Sequence, residues 1–114
     1  MTYGTRAQLD AVRELAFGSI SGTYAAVGTA LTDHARIVRF VNGTDVQVYI
    51  SLDGSTNHIR MAANSFFLLD FSTNRIRDDG LFVSVGTIFY TKQVSGAAGS
   101  GAVWIEVVSG AGGV

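Results

Sequence analysis

Cysteine is absent from the chain, which excludes disulfide scaffolds, zinc ribbons and thiol catalysis. Proline, ordinarily about 5% of residues, is absent too. Charge is sparse: Asp, Glu, Lys and Arg make up 15% of the sequence, against roughly 25% in an average soluble domain. Eight basic and nine acidic side chains leave a net charge of −1. That balance gives no clustered positive footprint, so nucleic-acid binding is not expected. Long hydrophobic runs are missing as well. The longest uncharged apolar run, residues 66–69, falls far short of the roughly 20 residues that span a bilayer. Residues 1–6 lack a basic region followed by an apolar stretch, so neither a secretory signal nor a membrane partner is expected, and synthesis in the cytoplasm is the default.

What is present is a 114-residue chain with 14 glycines and 47% hydrophobic residues, enough for one core and no second. After residue 12 the hydrophobic period is close to two. In Val46-Gln47-Val48-Tyr49-Ile50-Ser51-Leu52 the four apolar residues share one face, the pattern of a half-buried strand. Residues 36–41 form a β-branched and aromatic run before it, and Asn42-Gly43-Thr44-Asp45 between the two predicts a hairpin. Further strands are expected at residues 24–31, 58–61, 65–71, 81–85, 88–92 and 102–108, with polar turns at 53–57 and 72–80. The 65–71 strand is apolar on both faces and reads as central. Residues 7–16 have helical propensity, yet residues 13–20 alternate, and an arm leading into a strand is preferred. Eight or nine short strands at 8–12-residue spacing predict an all-β antiparallel sandwich of jelly-roll type. The expected organisation is an N-terminal arm over 1–11, a β-sandwich over 12–108 and a glycine-rich tail over 109–114.

No constellation points to catalysis. The two histidines, His34 and His58, lack metal-ligand spacing, and His58 reads as a structural partner of the Asp53 loop. The loop Asp53-Gly54-Ser55-Thr56-Asn57 gathers oxygen atoms but departs from the calcium-loop pattern. Most carboxylates lie in turns, where Asp bonds nearby backbone amides. Gly18-Ser19-Ile20-Ser21-Gly22 is not a nucleophile elbow, and residues 96–101 lack the Lys-Ser/Thr ending of a phosphate loop. No cofactor, no metal and no enzymatic activity are expected.

A charge-poor chain of this size has little ionic material to cover its surface, so some apolar area should face outward and meet a partner. Phe66-Phe67-Leu68-Leu69 needs both faces dry, either within the domain or against a neighbour. Phe66, Phe67, Tyr90 and Trp104 are the aromatic positions expected to divide between core and interface. The arm and the tail order against a neighbouring subunit or are simply disordered.

The runs Arg13-Glu14-Leu15-Ala16-Phe17-Gly18-Ser19-Ile20, Arg36-Ile37-Val38-Arg39-Phe40-Val41-Asn42 and Ile50-Ser51-Leu52-Asp53-Gly54 carry a further signal. With Gly86-Thr87-Ile88-Phe89-Tyr90-Thr91-Lys92 and Gly99-Ser100-Gly101-Ala102-Val103-Trp104, the chain resembles small structural proteins of tailed-bacteriophage virions. The likeness covers most of the chain from residue 12 onward and consists of strand-and-turn patterns. It implies a non-enzymatic β-sandwich that assembles as a ring or as multiple copies on a virion, without naming its station. The leading expectation is a homo-oligomer that also contacts other virion proteins at the head-tail junction or in the tail. Capsid decoration is the near alternative. A carbohydrate-binding module, stacking sugars on Tyr3, Tyr24, Tyr49, Tyr90 and Trp104, is the rival from another class.

Overall fold

The computed structural model describes residues 7–32, 35–70 and 85–110. His34, the turn expected at 72–80 and the strand expected at 81–85, apart from Val85, lie outside them. So do Tyr3 and the outer parts of the arm and tail.

The described residues form nine strands in chain order: β1 (Ala7–Leu9), β2 (Arg13–Ala16), β3 (Ala25–Ala26), β4 (Ala35–Asn42), β5 (Val48–Ser51), β6 (Ile59–Met61), β7 (Ser65–Asp70), β8 (Tyr90–Gln93) and β9 (Ala102–Gly110). One short 3-10 turn, Phe17–Ser19, follows β2. One sheet has the order β1-β9-β4-β7, with β2 also on β9; the other has the order β3-β8-β5-β6. Every ladder is antiparallel. The pairs β2–β9, β3–β8, β4–β7 and β5–β6 are nested, as in one long hairpin whose tip is β5–β6. Rolling that hairpin sets β4 beside β9 and β5 beside β8, which is the jelly roll.

The core lies between the sheets. Val38, Phe40, Val103, Ile105 and Val107 from the first sheet join Val48, Ile50 and Met61 from the second, with Val27 just after β3 and Phe89 just before β8. Phe40 binds the layers together: its ring meets Phe89 edge-on at 5.6 Å and stacks against Phe67 at 6.4 Å. Period-two alternation sends the intervening residues outward, so Arg39, Val41, Trp104 and Glu106 face away from the core.

The hairpin expected between residues 36–41 and 46–52 does not form. β4 and β5 belong to different sheets, and residues 43–47 carry the chain across the sandwich. Asn42 sets this corner. Fully buried, its Nδ2 donates to the Val46 carbonyl at 2.8 Å and the Ala62 carbonyl at 2.9 Å. Its Oδ1 accepts from the Thr44 amide at 3.0 Å and the Thr44 hydroxyl at 2.6 Å. All of the amide's bonding capacity is used inward. The Asn-Gly pair thus makes a buried corner in place of an exposed reversal.

Three other expectations change. Among the described residues β7 is an edge strand and not a central one, its only ladder there being with β4. The arm and tail also enter the sheet, because Ala7–Leu9 pair with Val108, Ser109 and Gly110. The strand expected over 24–31 shrinks to Ala25–Ala26. Gly28 there has φ +74°, and backbone bonds from Val27 to Phe89 and from Leu31 to Thr87 continue the contact irregularly.

Candidate interaction face

The outward side of the first sheet is its most distinctive surface. Register builds it in rows across the strands. Glu14, Trp104, Val41 and Phe66 form one row; Glu106, Arg39 and Leu68 the next; Leu9, Val108, Ile37 and Asp70 a third. Three of these outward side chains are large, apolar and open to solvent, with Leu9 84% exposed, Phe66 66% and Leu68 51%, and Val12 is 54% exposed. Val12, in the connection between β1 and β2, joins Leu9, Ile37, Leu68 and Val108 around a groove of about 420 Å³. Scattered exposed apolar residues are ordinary, whereas a contiguous set marks a binding surface.

Two charges sit at the centre of this field. Arg39 Nε lies 2.5 Å from Glu106 Oε1, both side chains about half exposed at 46%. The guanidinium also lies 5.9 Å from the Phe66 ring centroid. A surface pair of this kind contributes about 0–1 kcal/mol to folding. Its larger effect is to place one positive and one negative pole at the centre of the face, with Glu14 and Asp70 at the ends of the flanking rows.

The four aromatic candidates separate. Phe66 is on this face. Trp104 is as well, half-buried, with its ring over Gly43 and its Nε1 donating to Glu14 Oε2 at 2.8 Å. Phe67 points inward against Phe40 yet stays 41% exposed at the sheet edge. Tyr90 belongs to the opposite sheet, where its ring covers Gly54. Leu9, Val12, Leu68 and the Arg39–Glu106 pair were not anticipated. Leu9 sat in the segment read as an arm, and Leu68 was in view only as part of a strand apolar on both faces.

The outward side of the second sheet is polar and aromatic. Lys92 Nζ lies 4.7 Å from the Tyr24 centroid and 5.8 Å from that of Tyr49, so the ammonium occupies both ring faces. Arg60 donates to Gln47 Oε1 at 2.9 Å and 2.6 Å. Tyr24 donates to Asn57, and burial first, then the nearby Asp53 charge, pushes its phenol pKa up. Tyr49 and Trp104 therefore lie on opposite sides of the sandwich and cannot form one sugar-stacking platform.

The Asp53 loop closes on itself. Asp53 Oδ1 accepts from the Thr56 and Ser55 amides, each at 2.8 Å, and from the Ser51 hydroxyl at 2.9 Å; Oδ2 accepts from the Thr56 hydroxyl at 2.9 Å. These bonds, the two backbone amides first, hold the carboxyl well below the usual carboxylate range. His58 turns to the backbone, not to Asp53: its Nδ1 accepts from the Leu52 amide at 3.1 Å. Arg13, nearly buried, donates to the Thr29 carbonyl at 2.9 Å and pairs with Asp10 at 3.5 Å, tying β2 to the segment after β3. Among the described residues, no three of His, Asp and Glu gather closely enough to hold a metal ion, and no helix is long and apolar enough to cross a membrane. In comparisons with known proteins, the chain matches no protein-family model and no curated sequence.

Proposed function

We propose that the protein is a non-enzymatic structural subunit of a bacteriophage virion, built into the head-tail junction or tail through its outward apolar sheet face. The observation that carries the assembly role is the set of Leu9, Val12, Phe66 and Leu68 exposed together on one side of the first sheet. Burying a fully exposed leucine or phenylalanine side chain contributes about 1.5–3 kcal/mol, so this face gains free energy only when something covers it. The jelly roll supplies a rigid platform for it, since the opposite side of the same sheet is fixed by the core. The virion setting rests on the sequence resemblance. Capsid decoration would use the same face and differ in copy number: hundreds per particle, against roughly six or twelve for a cyclic ring.

Light scattering of the purified protein, with mass spectrometry of purified particles, tests the proposal. Self-association and recovery in particles are expected. A chain that stays monomeric and is missing from particles would remove it.

A further inference from the structure

One line of residues crosses the exposed face at right angles to the strands. It runs from Val12, beside β9, through Glu106 on β9 and Arg39 on β4 to Leu68 on β7, with Glu106, Arg39 and Leu68 in direct register. Read from either end, it goes apolar, charged, charged, apolar, and the two charges have opposite sign. A surface patterned in this way is complementary to itself. Rotation by a half-turn about an axis parallel to the strands, midway between β4 and β9, exchanges the two ends. It sets each Arg39 over the other copy's Glu106 and each Leu68 over the other copy's Val12.

We propose that the occupant of this face is a second copy of the chain in that two-fold arrangement, an inference that rests on the assembly reading above and names its first partner. The two central charges favour a second copy over a partner of uniform sign, while Glu14 and Asp70 stand at opposite ends of the flanking rows, away from the axis. A basic surface would meet Arg39 with like charge and an acidic one would meet Glu106, and like-charge juxtaposition in an interface is costly. A second copy satisfies both at once, turning one ion pair within a chain into a four-membered alternating cluster between chains. Sheets packed face to face lie about 10 Å apart, close enough for Leu68 and Val12 to interdigitate. Two-fold dimers with isologous contacts are the commonest closed assembly.

Charge exchange between copies tests it. Arg39→Glu makes both central charges negative, and Glu106→Arg makes both positive. Each variant alone should self-associate roughly 10-fold or more weakly than wild type, because like charges face each other across the axis. An equimolar mixture should recover a complex of twice the monomer mass by native mass spectrometry and sedimentation, with one chain of each kind. An ion pair acting only within its own chain is broken in both variants, so it gives no recovery on mixing. A mixture that stays monomeric, with both chains folded by circular dichroism, overturns the proposal. Should either variant fail to fold, Leu68→Asp mixed with Val12→Lys makes the same test across the axis. A photo-crosslinker at position 68 that captures a different virion protein while the wild type remains monomeric also overturns it. Dimers in solution without recovery in particles would overturn the virion setting and leave the dimer standing. Recovery in particles without a dimer would do the reverse.

Discussion

The indole of Trp104 lies over Gly43, and a Cβ added at that glycine would penetrate the ring and approach the Ala102 carbonyl at 3.0 Å. Gly43 donates its amide to that same carbonyl at 2.8 Å, so the corner after β4 and the start of β9 are locked by backbone and ring together. Its φ is not among the positive ones, so here glycine serves close approach and not turn geometry.

Gly43→Ala should therefore destabilise the fold through overpacking, by about 1–3 kcal/mol. Thermal unfolding followed by circular dichroism should show a melting temperature lower by several degrees. Trp104→Leu removes the obstructing ring and should relieve most of that cost in the double variant. An alanine variant that melts with wild type would contradict the seating of the indole.

Asn42 governs the passage between sheets. Asn42→Ala takes from the Thr44 amide its acceptor, at about 1–3 kcal/mol for a buried group left unpaired. It also removes one of two donors from each of the Val46 and Ala62 carbonyls, which keep the Thr44 and Ser65 hydroxyls. Asn42→Asp goes further, replacing an amide donor with an oxygen that faces two carbonyls. A buried carboxylate favours its neutral form, so this variant should regain stability as the solution is acidified. Urea midpoints at neutral and mildly acidic pH measure both effects. Equal midpoints for Asn42→Asp and wild type at neutral pH would refute the role.

Strand identity was legible because it depends on nearest-neighbour alternation. Val48 and Ile50 point inward and Tyr49 outward, as period two requires. Sheet membership was not legible in the same way. Asn42-Gly43 reads locally as a hairpin, and only the distant partners of its amide, Ala62 among them, make it a corner. The two apolar faces of β7 are consistent with a buried central strand and with an edge strand carrying an interface; its one ladder among the described residues, with β4, puts it at the edge of them. Leu9 and Val12 join Leu68 through pairing across about a hundred residues of chain, which no local pattern encodes.

Asp53 links the fold to acid. Its carboxyl is held as the anion by the Thr56 and Ser55 amides and the Ser51 and Thr56 hydroxyls, so its native pKa lies below its unfolded value. A depressed carboxyl contributes stability that is complete above the ordinary aspartate value of about 3.9 and is lost as pH falls toward the native pKa. The stability difference between wild type and Asp53→Asn should thus be present at neutral pH and shrink steadily below about pH 4. Guanidinium unfolding across that range measures it. A difference independent of pH would show that the loop gains nothing from the charge.

The outward face and the core should answer substitution in opposite ways. Phe40→Ala removes the ring that joins Phe89 and Phe67, and large-to-small changes at such sites cost about 3–5 kcal/mol. Phe66→Ser and Leu68→Ser remove side chains that are mostly in water, so in dilute solution their stability should lie within about 0.5 kcal/mol of wild type. Concentration separates the roles further. A chain stabilised by a partner copy melts higher as its concentration rises, by mass action. Wild type should show that dependence, Phe66→Ser and Leu68→Ser should lose it, and Phe40→Ala should melt lower throughout. Melting temperatures that stay flat for wild type, or that still climb for the Leu68 variant, would mean that Leu68 takes no part in assembly.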